Sequence, residues 1–131
     1  MSDEAKRFVP NQAHGFKRVI KATGYSIAGI KAAIKGEAAF RQELFLTLVL
    51  VPVALLMPIG GTLRLILVIS TVQVLALELL NSAIEAMVDR VCEGYDPYAK
   101  RAKDMGSGAV FIALIVAVLA WGTGVYSVFF P

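Results

Sequence analysis

Apolar positions fall into three long blocks that follow a polar first third of the chain. The blocks run over about residues 44–59, 63–88 and 109–130. The second and third each exceed the ~20 residues that a helix needs to cross a bilayer. The first is shorter and contains Pro52, so it reaches spanning length only if its helix begins near residue 38. The pattern therefore predicts transmembrane helices over about 38–59, 63–88 and 107–130.

The segment before the first block has the pattern of an amphipathic helix. Apolar side chains recur at spacings of three and four from Phe16 to Ile34, with lysines between them. Because this segment leads directly into a span, we interpret it as an interfacial helix on the bilayer surface. A basic helix that stops short of the membrane is the alternative. We expect one domain over 1–131, with a polar leader over 1–13 and a surface helix over 14–36.

Composition and charge favour an all-α membrane protein. Hydrophobic residues make up 57% of the 131 residues and charged residues 18%, which is too apolar for an ordinary soluble domain. Lysines and arginines are concentrated before the first span and between the second and third, whereas the first link has only Arg64. The positive-inside rule predicts a cytoplasmic N-terminus and a C-terminus outside. The net charge of +3 mostly reflects this asymmetry and does not indicate nucleic-acid binding.

Cysteine and histidine each occur once, as Cys92 and His14. An internal disulfide is therefore excluded, and so is a zinc-type cluster of these residues. Metal chemistry would have to use oxygen ligands, which favours magnesium over zinc.

The second span carries polar side chains that lipid cannot solvate. At about 100° per residue, Glu78, Asn81, Glu85 and Asp89 lie on one narrow stripe of a helix. Such a stripe must face protein or a polar cleft. Measured from Asp89 at the cytoplasmic end, Glu85 lies ~6 Å and Glu78 ~16 Å into the span. The deeper carboxylate is suited to act as a general base and the shallower one to hold a divalent cation.

Phosphoryl transfer needs a metal, cationic groups on the phosphates and a positioned base. Cationic residues near this stripe could meet the second of these needs. Lys103 and Asp104 lie at the cytoplasmic end of the third span, and Arg18 lies on the surface helix. Neither a Walker A sequence nor a kinase glycine-rich loop occurs in the sequence. From the pattern alone, an ion or substrate pathway and a stripe that stabilises an oligomer stay open as alternatives to catalysis.

Four sequence motifs resemble those of the small bacterial integral-membrane diacylglycerol kinases. They are GFKRVIKATGYS, EAAFRQE, ELLNSAIEAMVD and AKDMGS, which begin at Gly15, Glu37, Glu78 and Ala102. The resemblance extends from Gly15 to the end of the third span. It implies ATP-dependent phosphorylation of 1,2-diacylglycerol to phosphatidic acid, with Mg²⁺ accompanying ATP, in the bacterial inner membrane. It also implies a homotrimer of three spans and a surface helix per subunit, with active sites at the subunit boundaries.

The resemblance assigns roles to individual residues. Glu78 matches the family's general base toward the lipid hydroxyl, and Glu37 and Glu85 match the carboxylates that hold the divalent metal on ATP. The implied nucleotide site comprises Arg18, Tyr25, Glu37, Glu85, Gly94, Tyr95, Asp96, Lys103 and Asp104. The implied lipid site comprises Ser26, Arg41, Gln42, Glu43, Glu78, Asn81 and Ser107.

Three other functions compete with this interpretation. An undecaprenol kinase of the same fold is the nearest, but EAAFRQE favours the diacylglycerol branch because the polyprenol branch resembles RNFQFH there. A small carboxylate-dependent transporter would need no ATP and neither Glu37 nor Lys103. A purely structural stripe predicts that Glu78→Gln is harmless or stabilising, because the change removes a buried charge.

Overall fold

The computed structural model describes residues 14–131, and this part of the chain contains helices and no strands. The helices are α1 (Phe16–Gly36), α2 (Ala38–Leu56), α3 (Gly61–Val91) and α4 (Pro97–Phe129). Helices α2, α3 and α4 are each long and apolar enough to cross a membrane. The predicted all-α fold, with three spans and a preceding helix, is confirmed. The predicted polar leader lies outside the described residues, and the homotrimer stays a prediction.

The three spanning helices differ in length, and the difference locates the polar end of the fold. The 19 residues of α2 rise ~28 Å, close to the thickness of a hydrocarbon core, whereas the 31 and 33 residues of α3 and α4 rise ~46 and ~50 Å. Apart from Arg64 and Glu78, the charged residues of both helices lie where α3 ends and α4 begins, so the surplus length is assigned to these ends. Charged ends of this kind suit the water and headgroups beyond a hydrocarbon core.

Helix α4 begins at Pro97, ten residues before the span predicted from hydropathy. Asp96 determines this start: its Oδ1 accepts hydrogen bonds from the backbone N–H of Tyr98 (2.7 Å) and Ala99 (2.9 Å). A capping aspartate followed by proline is a strong helix start signal, whatever the hydropathy of the next turns. Hydropathy therefore predicts only the apolar part of α4. The helix itself begins earlier, where Asp96 caps it.

Helix α3 is the centre of the fold, because it contacts each of the other three helices and contacts α4 most extensively. Its buried side chains repeat at spacings of three and four, so they form one stripe along the helix. The prediction that the polar stripe faces protein is confirmed at Glu78 and Asn81, which are 7% and 8% exposed. The complete buried set is Leu67, Ser70, Thr71, Val74, Glu78, Asn81 and Ser82.

Small residues bring α4 close to α3. Gly106 and Gly124 are both buried in α4, and a side chain at position 124 would begin 2.9 Å from Cδ1 of Leu67. Farther along the same contact, Nε1 of Trp121 donates a 2.9 Å hydrogen bond to Oγ1 of Thr71. Close packing and interhelical hydrogen bonds are what hold helices together in lipid, where burial of apolar surface contributes little.

The joint between α1 and α2 consists of Glu37 alone, which has an extended backbone with φ −118° and ψ 109°. Its N–H donates to the carbonyl of Ala33 at 2.9 Å. The Arg41 guanidinium reaches back and donates to the carbonyls of Ile34 (3.0 Å) and Lys35 (3.2 Å). Arg41 thereby satisfies the last carbonyls of α1 and complements its dipole. We call these two hydrogen bonds from Arg41 the Arg41 clamp. The clamp holds the end of α1 against the start of α2, and so it positions Glu37 between them.

Helix α1 packs only lightly on the rest of the chain. Ala33 is its one buried residue, and Phe16, at the other end of the helix, is 80% exposed. Its apolar face is therefore left uncovered by the chain's own helices. Such a face agrees with the interfacial helix expected from the sequence, because lipid can cover it.

We expect Trp121→Phe to lower the free energy of unfolding in micelles, because it removes the hydrogen bond to Thr71 and retains an aromatic ring. Interhelical hydrogen bonds in membrane proteins contribute about 0.6–1.7 kcal/mol, and the loss should lie in that range. Tyr126→Phe is the matched control, since Tyr126 is 62% exposed. Equal destabilisation by the two changes would contradict a role for the Trp121–Thr71 bond.

We expect Arg41→Gln to loosen the joint at Glu37, because the shorter, neutral side chain cannot hold the carbonyls at the end of α1. Amide hydrogen exchange at residues 36–38 should accelerate by about 3- to 10-fold, as expected for the loss of about one exposed hydrogen bond. Lys31→Gln removes a charge from the same helix without touching the joint, and should leave this exchange unchanged. Exchange that is equally fast in both variants would refute the clamp.

Candidate active site

Three other glutamates lie within electrostatic range of Glu78, and we call these four carboxylates the glutamate cluster. Glu78 lies on the buried stripe of α3, Glu43 comes from α2, and Glu37 comes from the α1–α2 joint. Together with Glu85, these carboxylates lie close enough to Glu78 to interact with it electrostatically. Like charges repel strongly where water is scarce, so a proton or a cation bound among these carboxylates would reduce the repulsion.

Asn81 orients one member of this cluster. Its Nδ2 donates a 3.1 Å hydrogen bond to Oε1 of Glu85, one turn farther along α3. Its Oδ1 is buried and has no hydrogen-bond partner among residues 14–131. The carboxamide therefore uses its donor side for the glutamate and turns its acceptor side away.

A groove of about 570 Å³ separates α1 from α3 beside this cluster. Its walls are mainly apolar, and its polar members are Ser26, Glu37 and Ser82. An apolar groove with a few polar groups at one position suits a ligand that is mostly hydrocarbon and has a small polar head. The structure thus brings the predicted residues Ser26 and Glu37 to one groove. Ser82 was missed, although its place beside Asn81 on the stripe could have identified it.

One charged pair joins the end of α3 to the start of α4, and a second lies within α4. Nζ of Lys103 lies 2.6 Å from Oδ1 of Asp89 across the two helices, and Nζ of Lys100 lies 2.6 Å from Oδ2 of Asp104 along α4. Glu85 also lies within electrostatic range of Lys103. Both predicted nucleotide-site residues at this end are therefore already paired inside the chain. Asp89, a member of the stripe without a predicted site role, holds the lysine.

One chain does not bring all the predicted site residues together. Helices α1 and α4 do not contact each other, so Arg18 and Tyr25 are separated from Lys103 and Asp104. Arg18 lies on a shallow groove along α1. Arg41 clamps the joint, and Asp96 caps α4, so both have structural contacts that the sequence did not indicate. The remaining predicted residues, Gln42, Gly94, Tyr95 and Ser107, are exposed.

The carboxylates of the site suit a magnesium ion that is also bound by a substrate. Across the range 14–131, no three or more histidine, cysteine, aspartate and glutamate side chains form a cage for a metal. Magnesium is usually held by only one or two carboxylates, together with water and the phosphates of a substrate. Glu37 and Glu85 are two such carboxylates within the cluster, so the residues present fit this metal.

Comparisons with known proteins identify the family. The sequence model of the prokaryotic diacylglycerol kinase family matches residues 24–124. The chain is 51% identical over 109 residues to a diacylglycerol kinase of Pseudomonas aeruginosa, a match that covers 83% of this chain and 89% of that protein. It is 50% identical over 111 residues to the Escherichia coli K12 enzyme (85% and 91% covered) and 46% identical over 110 residues to the Haemophilus influenzae enzyme (82% and 92%). The chain therefore belongs to the prokaryotic diacylglycerol kinase family.

Proposed function

We propose that this protein transfers the γ-phosphoryl group of ATP to the free hydroxyl of 1,2-diacylglycerol, giving ADP and phosphatidic acid. The observation that carries the proposal is the burial of Glu78 within the glutamate cluster in a chain of this family. The relatives named above are each diacylglycerol kinases, which supports the same acceptor here.

Glu78 acts as the general base in this proposal. The hydroxyl oxygen forms a bond to the γ-phosphorus while the bond from that phosphorus to ADP breaks, and the hydroxyl proton goes to the Glu78 carboxylate. The neighbouring groove is mainly apolar. The acyl chains can therefore stay in a hydrocarbon environment while the glycerol hydroxyl reaches the carboxylate. Ser26, Arg41, Gln42, Glu43, Asn81 and Ser107 are the proposed lipid-site residues.

Glu37 and Glu85 hold Mg²⁺ in this proposal. The ion, when bound with ATP, neutralises charge on the phosphates. Glu37 is positioned by the clamped joint, and Glu85 by the hydrogen bond from Asn81. The two carboxylates are thus held by different contacts, Glu37 at the α1–α2 joint and Glu85 on α3.

The nucleotide site is proposed to be shared between subunits of a homotrimer. Lys103 and Asp104 lie on α4, whereas Arg18 and Tyr25 lie on α1, and these helices do not meet within one chain. A second copy would supply the missing helix to each site. Gly94, Tyr95 and Asp96, in the link before α4, complete the proposed set.

The proposed orientation puts the site on the cytoplasmic side of the bacterial inner membrane, where ATP is available. Basic residues are abundant before the apolar part of α2, and they recur at the end of α3 and the start of α4, as Arg90, Lys100, Arg101 and Lys103. Near the link from α2 to α3 there is only Arg64. This distribution supports a cytoplasmic N-terminus and a periplasmic C-terminus.

The direct test is ATP-dependent transfer of labelled phosphate by purified protein in lipid–detergent micelles. The acceptor would be 1,2-diacylglycerol, undecaprenol or no added lipid. We expect label in phosphatidic acid, and a loss of about 10²- to 10⁴-fold in Glu78→Gln, the range for removal of a general base. Glu93→Gln, at an exposed link residue, is the matched control and should retain activity.

The other outcomes each favour a named alternative. Label in undecaprenyl phosphate would overturn the proposed substrate while leaving a lipid kinase. No transfer to either lipid from well-folded protein would favour a transport or structural role for the carboxylates. Full activity in Glu78→Gln would remove this residue as the base.

We expect chelation of divalent metal to abolish transfer, and Glu37→Gln and Glu85→Gln each to raise the magnesium concentration required for half-maximal rate. Because each variant retains one of two carboxylates, the increase should be at least about 10-fold. Glu93→Gln should follow the parent curve. Unchanged magnesium dependence in both glutamate variants would refute the proposed metal site.

A further inference from the structure

Two glycines of α4, Gly106 and Gly124, differ from the other glycines because another residue occupies the place of a Cβ atom. At position 106 the space is occupied by Oδ1 of Asn81, and at position 124 it is occupied by Cδ1 of Leu67. The other nine glycines have no heavy atom within 4 Å of that place. Gly124 therefore serves apolar packing, whereas Gly106 faces a polar group of the candidate active site.

The carboxamide of Asn81 has one orientation that suits both of its neighbours. Nδ2 faces the Glu85 carboxylate at 3.1 Å, and Oδ1 faces the backbone of Gly106. The reverse orientation would direct an oxygen at a carboxylate, which is repulsive. Oδ1 is left without an N–H or O–H donor among the described residues, so the weakly polar Cα–H groups of Gly106 are its neighbours.

A methyl group at position 106 would overlap Oδ1 of Asn81. It would also lie 3.4 Å from Cγ of Asn81 and 3.5 Å from Cδ1 of Ile84, which are ordinary contacts. The overlap is thus confined to the carboxamide oxygen, and rotation of the carboxamide relieves it. Because Oδ1 and Nδ2 share one rigid plane, any rotation that moves the oxygen also moves the nitrogen away from Glu85.

We propose that Gly106 is a positioning residue, whose missing side chain keeps the Asn81 carboxamide oriented so that Nδ2 holds Glu85. Gly106 touches no substrate in this proposal; it acts through Asn81 on a carboxylate that is proposed above to bind magnesium. The inference therefore rests on the proposed function for its consequence in catalysis. The contact between Gly106, Asn81 and Glu85 does not depend on it.

The first measurement reads this contact without any catalysis. The chain has only two asparagines, Asn11 and Asn81, so selective ¹⁵N labelling of asparagine yields two side-chain amide signals. We expect Gly106→Ala to shift the Asn81 signal to that of an amide without a carboxylate partner. Glu85→Gln, which removes the carboxylate charge, should produce a shift in the same direction, and the Asn11 signal is the internal reference.

Two matched controls separate this effect from general changes to α4. Gly108→Ala raises helix propensity equally but enters open space, and Gly124→Ala disturbs the same helix contact at Leu67. Neither should move the Asn81 signal. A Gly106→Ala signal that matches the parent, or an equal shift in Gly124→Ala, would overturn the proposal.

The second measurement is the magnesium dependence of phosphoryl transfer. Loss of an outer hydrogen-bond partner of a metal ligand typically costs 10- to 100-fold in metal affinity, so Gly106→Ala should raise the half-maximal magnesium concentration by about that factor. The same increase should appear at limiting and at saturating diacylglycerol, because the lost hydrogen bond belongs to the metal ligand Glu85. Gly108→Ala should follow the parent in both.

A double-mutant cycle distinguishes an effect that acts through Asn81 from a general loss of folded protein. If Gly106 acts only through Asn81, adding Gly106→Ala to Asn81→Ala should have no further effect on magnesium dependence, since the methyl group then has nothing to displace. An additional loss in the double variant would refute a route through Asn81. If parent protein transfers no phosphate, the proposed function fails, while the asparagine signals still decide the positioning role.

Discussion

The cost of an ionisable carboxylate inside a membrane span is the constraint on which the rest of this structure depends. Lipid offers no hydrogen-bond partners and little screening, so Glu78 is stable only if protein surrounds it. Helix α3 therefore turns its polar stripe inward and becomes the central helix, with α2 and α4 against it and the end of α1 beside it. The arrangement of the other helices follows from the need to cover this one face.

Different physical devices support different parts of the site. The hydroxyl groups of Ser70 and Thr71 donate hydrogen bonds to the carbonyl of Leu67 in their own helix. In this part of the stripe the buried hydroxyl groups therefore need no donor or acceptor from another helix. The polar half is held by contacts between elements: the Arg41 clamp at the joint, the Asn81–Glu85 bond and the close approach of Gly106. The candidate active site thus lies along α3, with α2, α4 and the α1–α2 joint around it.

Because α1 and α4 are separated, a single chain does not assemble the whole proposed nucleotide site. The cluster of glutamates is assembled within one copy, whereas the cationic and aromatic residues of the two outer helices remain apart. Completion by further copies, as proposed above, would bring these residues together. In that arrangement the base and metal ligands would belong to one unit, and the groups that neutralise nucleotide phosphates would be shared between units.

The sequence by itself determined the three spans, the surface helix and the stripe from Glu78 to Asp89, because hydropathy and helical periodicity are local properties. Its motifs also identified the family before any geometry was available. Only the tertiary structure decided that Arg41 clamps a joint, that Lys103 pairs with Asp89, and that Gly106 faces Asn81. These contacts join residues on different helices, and their existence depends on how the helices rotate and approach one another, which no local pattern specifies.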